Sequence, residues 1–149
     1  SKEADFGIER ILMPGAGFMF DTTIGIARMA VDGFFERFQD VKIIASHGGG
    51  YLPYVAGRID MFFQAETLAK LKITELPSEF LKRIYYDAVL YDQGALDLCI
   101  NLAGPEKVLF GTDFPMPCDI PKLYELVETR PAEEAAAIKG GNAVKMFNL

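Results

Sequence analysis

Three short apolar runs, at residues 41–45, 83–88 and 107–110, each lead into a turn, and segments of helical spacing separate them. Parallel strands need a crossover long enough to hold a helix, so this alternation predicts three β/α units with right-handed connections and a parallel sheet. The first run contains Val41, Ile43 and Ile44 and stops at a glycine triplet, the pattern of a strand buried on both faces. Helices are expected at residues 22–38, capped by Asp21, Thr22 and Thr23, at 51–63 after Pro53, and at 93–102. Residues 68–77 are less regular, and Ser78, Glu79 and Phe80 can start a helical turn. Pro115, Pro117 and Pro121 hold a loop out of regular structure, and two further helices are expected at 122–129 and 132–139. Gly140 and Gly141 read as a stop, with Asn142 capping a short last helix. Three strands are few for a parallel sheet, which wants both faces covered and its edges shielded, and this suggests part of something larger.

The chain has 149 residues, half of them hydrophobic, enough for one domain with a sizeable core. Its formal net charge of -6 and scattered basic residues argue against a nucleic-acid surface. No apolar run approaches the roughly 20 residues that span a bilayer, and Ser1, Lys2, Glu3, Ala4 and Asp5 do not form the apolar core of a signal peptide, so a cytoplasmic protein with no membrane partner is expected. Cys99, on an apolar helical face, and Cys118, in a Pro-rich loop, are expected to be free thiols.

The chemistry concentrates in two segments. Ser46, His47, Gly48, Gly49 and Gly50 follow the first strand, and Gly111, Thr112, Asp113, Phe114 and Pro115 follow the third. Loops at the carboxyl ends of parallel strands carry the functional groups in α/β proteins, so His47, the only histidine, and Asp113 should open onto one face. An imidazole and a carboxylate together suit metal-assisted acid/base work. Structural roles are open for each residue: His47 and Asp113 could hold turns, Arg58 could make a surface ion pair, and Asp87 could either face the site or make a structural hydrogen bond. The glycine triplet lacks the lysine and spacing of a phosphate-binding loop.

These segments, with Gly17, Asp21, Thr22, Thr23, Gly57, Arg58, Tyr86, Asp87, Gly141, Asn142 and Ala143 in the same order, resemble the carboxyl-terminal part of the amidohydrolase-related decarboxylases of the aminocarboxymuconate-semialdehyde decarboxylase type. The resemblance runs from about residue 12 onward. It implies a metal-dependent-hydrolase TIM barrel, (β/α)₈, with residues 1–149 forming a single domain that holds the end of the fifth unit, units six to eight and the final helix. It implies Asp113 as a ligand of a divalent metal, most commonly zinc, His47 as the catalytic acid/base, and Arg58 as the group that binds a substrate carboxylate, in the best-known members from a neighbouring subunit. The implied reaction is loss of CO₂ from an unsaturated or aromatic carboxylic acid by a homo-oligomeric carboxy-lyase, with hydrolysis as the other chemistry of the superfamily.

The family's remaining metal ligands are three histidines, and this chain has none to spare. A barrel takes about 250 residues, and a catalytic zinc normally has three protein ligands. The chain alone is therefore expected to bind metal weakly, if at all, and to be inactive without the rest of the barrel. The family's tryptophan ahead of Asp21 is also absent, with Pro14 near its place. A non-catalytic oligomerising or interaction domain is the alternative from a different class.

Overall fold

The computed structural model describes residues 10–66, 73–116 and 118–149. Three parallel strands, β1 (Ile44–Ala45), β2 (Tyr85–Asp87) and β3 (Val108–Leu109), lie side by side in that order. The expected runs thus form the strands, although only two or three residues of each pair, the last two of the first run and the centres of the other two. The register aligns Ala45 with Tyr86 and Tyr86 with Val108, and this row is completely buried under the helices. The other face is less covered: Ile44 is 41 % exposed, so the first strand is not buried on both sides as its composition suggests.

Helix α1 (Phe18–Val31) starts earlier than expected, out of a π-helical turn at Met13–Gly17. Thr23 is not a cap; its hydroxyl donates to the Met19 carbonyl at 2.7 Å and, with Ile26 and Ala30, lies on the buried face. Gly33, at φ 75°, ends the predicted single helix, and α2 (Phe34–Arg37) restarts after it. Next come α3 (Leu52–Ala65), with Pro53 in its first turn, and α4 (Pro77–Leu81). Helix α5 (Gln93–Ala103) is capped by the Asp92 side chain, which accepts the Ala95 N–H at 3.1 Å. Helix α6 (Ile120–Glu128) takes Pro121 into its first turn, where its missing N–H is harmless, so that proline belongs to the helix and not to the loop before it. Pro117 and residues 67–72 lie outside the described residues. No described helix is long and apolar enough to cross a membrane.

One core packs α1, α3 and α4 around Tyr86, Leu52, Phe80 and Leu81; a second packs α5 and the last helices around Leu96, Val108, Val127 and Ile138. Tyr86 buries its ring completely because its hydroxyl donates to the Leu81 carbonyl at 2.6 Å.

The carboxyl-terminal segment departs from expectation. Helix α7 (Ala132–Ala136) continues through a π-helical turn at Ala137–Gly141 into α8 (Asn142–Phe147), and Gly141 stays right-handed at φ -56°. The glycine pair does not stop the helix, because Asn142 is drawn inward: it is 2 % exposed, and its Nδ2 donates to the carbonyls of Pro105 and Val108, both at 2.8 Å. The same segment gives an acceptor to β3, whose neighbour Phe110 donates its N–H to the Ile138 carbonyl. Lys42, ahead of β1, donates its Nζ to the Met146 carbonyl at 2.5 Å.

Four consecutive left-handed residues follow β1: His47 at φ 55°, Gly48 at 60°, Gly49 at 74° and Gly50 at 63°. A Cβ on Gly48 would sit 2.8 Å from a Leu90 methyl, and one on Gly49 would sit 2.7 Å from the Tyr86 ring. At Gly50 it would strike the Met19 carbonyl oxygen and the Thr23 hydroxyl. Close approach therefore demands the triplet, and no phosphate need be invoked for it.

We expect Asn142→Ala to leave the half-buried Pro105 carbonyl and the buried Val108 carbonyl without this donor and to lower the unfolding free energy by about 1–3 kcal/mol, measured by urea denaturation. Gly50→Ala should cost more than about 3 kcal/mol in the same assay through steric conflict and backbone strain. Gly140→Ala should fall between neutral and about 1 kcal/mol stabilising, since a Cβ there meets nothing within 4 Å.

Candidate active site

His47 and Asp113 stand on the loops that leave the carboxyl ends of the two outer strands, and the fold brings them together across 66 residues of sequence (113 minus 47). His47 Nε2 lies 3.5 Å from Asp113 Oδ2, an ion-pair distance too long for a good hydrogen bond. Both residues are left-handed, Asp113 at φ 60°, a conformation that L-residues other than Asn and Asp seldom adopt. Among the described residues only Asn148, at the chain end, shares it outside glycine. Strain of this kind concentrates where a side chain must be aimed.

The imidazole has two unlike ends. Nδ1 is buried without a partner, whereas Nε2 faces the carboxylate, whose side chain is 40 % exposed. A proton on Nε2 has an acceptor to point at; a proton on Nδ1 would be a buried donor with none. The pair opens into a cleft of about 290 Å³. Met19, Val89, Leu90 and Tyr91 give it largely apolar walls, against which the pair is the charged feature.

Behind the pair, the loop at residues 47–50 is tied down by side chains from three other elements. Asp87, at the end of β2, accepts the N–H groups of both Gly48 and Val89 on one oxygen, Oδ1, each at 3.0 Å. The Cys99 thiol, on α5, donates to the Gly48 carbonyl at 3.4 Å. Thr23, on α1, accepts the Tyr51 N–H at 2.8 Å. Asp87 thus makes hydrogen bonds to backbone. Burial, with a smaller contribution from the nearby Asp87 charge, pushes the Cys99 thiol up to about 12, so it stays a neutral donor near neutral pH. Both cysteines are free. The ties from Thr23 and Cys99 carry no local signal, because each joins residues 28 or more positions apart.

Arg58 is elsewhere. It lies on α3 with its guanidinium 5.0 Å above the Phe62 ring, beside a separate groove lined by Val31, Val55, Ile59 and Phe63. Within one copy of the chain it does not join His47 and Asp113. Nor do the described residues hold a group of three or more His, Cys, Asp or Glu able to bind a metal ion. Asp113 offers one carboxylate to such an ion, but the donor set does not by itself fit one.

Comparison with known proteins gives this arrangement a lineage. The 2-amino-3-carboxymuconate-6-semialdehyde decarboxylase of Dictyostelium discoideum is 31 % identical over 137 residues, covering 89 % of this chain and 38 % of that protein. The crystal structure of Metarhizium anisopliae IDCase in its apo form superposes with a TM-score of 0.83 at 30 % identity, covering 93 % of this chain and 42 % of that one. The dihydroxybenzoic acid decarboxylase of Polaromonas, solved with manganese and the inhibitor 2-nitroresorcinol, superposes with a TM-score of 0.82 at 24 % identity, covering 99 % and 46 %, and supports the fold. The chain spans about two fifths of the length of the curated relatives it matches. Its three parallel strands and flanking helices form part of an amidohydrolase-type TIM barrel. The amidohydrolase family matches residues 4–149, and the chain belongs to it.

Proposed function

We propose that this chain forms the end of the fifth unit through the eighth unit and final helix of a cytoplasmic, metal-dependent decarboxylase acting on an aromatic or unsaturated carboxylic acid. The observation that carries this reading is the approach of His47 Nε2 to Asp113 Oδ2 at 3.5 Å in one cleft, on strained loops at the same end of the sheet. The decarboxylases among its relatives supply the reaction class.

The chain's own residues divide the work. The largely apolar walls of the cleft favour a flat, unsaturated substrate. Entering as the imidazolium, His47 delivers its Nε2 proton to the carbon that bears the carboxylate and is left as the neutral ring; the new C–H bond replaces the C–C bond, whose electron pair stays on that carbon until it is protonated, and CO₂ leaves. Asp113 orients the imidazole and supplies one ligand of a divalent metal, zinc in this reading. The manganese in the Polaromonas structure is consistent with a divalent ion in the same class of site. Such an ion would neutralise charge on the bound acid; its other ligands would come from outside the described residues, so the chain alone would be inactive. Arg58 reads as the clamp for a substrate carboxylate across a subunit boundary in a homo-oligomer, since a guanidinium forks onto a carboxylate and Arg58 lies away from the cleft of its own chain. The half-covered sheet face at Ile44 favours a second reading, an oligomerising domain without chemistry. Turnover by the assembled protein separates the two.

In the assembled enzyme His47→Ala should lower kcat by about 10²–10⁴-fold with metal content retained, and Asp113→Ala should lower both turnover and metal content. Release of CO₂ from a panel of aromatic and unsaturated acids, with elemental analysis, provides the check; near-normal turnover in both variants would remove the assignment. Arg58→Lys should raise KM about tenfold, the loss of one bidentate contact, and leave the melting temperature unchanged. An unaltered KM would count against the clamp.

A further inference from the structure

We infer that Asp87 is a positioning residue: through Gly48, and together with Cys99, it fixes the backbone of His47 and so the aim of the imidazole. The peptide that joins His47 to Gly48 has its N–H held by Asp87 Oδ1 at 3.0 Å, and the next peptide has its carbonyl held by the Cys99 thiol at 3.4 Å. Thr23 holds the Tyr51 N–H at the far end of the turn, and the remaining hydrogen bonds are internal: Gly49 donates to Ser46 and Gly50 to His47. Internal bonds close the turn but do not orient it against the sheet. The ties from β2 and α5 do: Asp87 acts on the peptide adjoining His47 and Cys99 on the one after it, and the left-handed φ of 55° at His47 needs such external support.

Asp87 also reaches the other half of the site. It pairs with Leu109 in the sheet register, and Gly111, on the way to Asp113, passes so close that a Cβ there would lie 3.2 Å from the Asp87 Cβ. One side chain on the central strand therefore sets the loop that carries His47 against the loop that carries Asp113. Both backbone N–H groups converge on the single oxygen Oδ1, and an asparagine keeps that acceptor. The role is therefore hydrogen-bond acceptance, with neither proton transfer nor net charge required.

The kinetic test rests on the reading of His47 given above; a second readout does not. In the assembled enzyme Asp87→Ala should lower kcat by about 10- to 100-fold, the cost of misplacing a catalytic group by about 1 Å, with KM within twofold. Asp87→Asn should stay within about threefold of the parent in both, a fold-change at the low end of one lost hydrogen bond. Independently of any activity, His47 is the only histidine, so its imidazole Cε1–H gives one NMR signal in the full 149-residue chain. That signal should shift or broaden in Asp87→Ala and hold its place in Asp87→Asn, while the side-chain amide of Asn142, in the other core, stays fixed in both. An unmoved His47 signal in Asp87→Ala overturns the inference, as does an Asn variant as impaired as the Ala variant. If Asp87→Ala also loses the Asn142 signal, Cys99→Ala takes its place as the perturbation of Gly48, with the same two outcomes for the His47 signal. A parent enzyme that releases no CO₂ from any acid tested removes the decarboxylase reading and leaves the NMR result to decide this one.

Discussion

How closely the loop after β1 can approach the central strand governs the carboxyl end of this sheet. Tyr86 fills the space beneath that loop, Leu90 and Cys99 bound one side of it, and the Met19 carbonyl and Thr23 hydroxyl bound another. A backbone without side chains is what fits there, and it fits only in left-handed conformations. Because Tyr86 is locked by its own hydrogen bond to Leu81, the floor of the loop does not yield. The position of His47 is thus decided by packing on β2, the strand that lies between its own strand and the one leading to the Asp113 loop that it faces.

The local character of the signals decided what could be read from the sequence. The alternation of apolar runs and helical spacing locates all three strands, their parallel direction and most helices, since each depends on residues close together in the chain. The turn residues His47 and Asp113 were conspicuous for the same reason: each is an ionisable group at the end of a run that has to be a strand. Where the reading missed, a distant partner outweighed a local preference. Thr23 looked like a cap and became a buried bridge between Met19 and Tyr51. Gly140 and Gly141 looked like a stop, but the pull on Asn142 from the carbonyls of Pro105 and Val108 carries the helix through. The break at Gly33 was local and legible in principle, though the run of apolar residues on either side of it argued for continuity. Arg58 illustrates a different limit. Its residue type suits a carboxylate, but its position on an outer helix belongs to tertiary structure.

The electrostatic design of the cleft is spare. One imidazole and one carboxylate stand among apolar walls, and the neighbouring thiol is held neutral by burial. Charge in the cleft therefore has few groups among the described residues to answer it, which makes the identity and spacing of those few decisive. The unequal burial of the two ring nitrogens gives the imidazole a direction, with its exchangeable proton on the side that opens to the cleft.

The last helix has a part in the architecture that its place at the rim conceals. Asn142 holds the segment leading into β3 and the strand itself, while the carbonyl of Met146 receives the ammonium of Lys42, just ahead of β1. Helix α8 therefore acts as a crossbar that ties the two outer strands at their amino-terminal ends, with β2 between them. During synthesis this crossbar emerges after every strand it joins. Until then the sheet can align its central row, but β1 and β3 lack the clamp that holds their amino-terminal ends at a fixed separation.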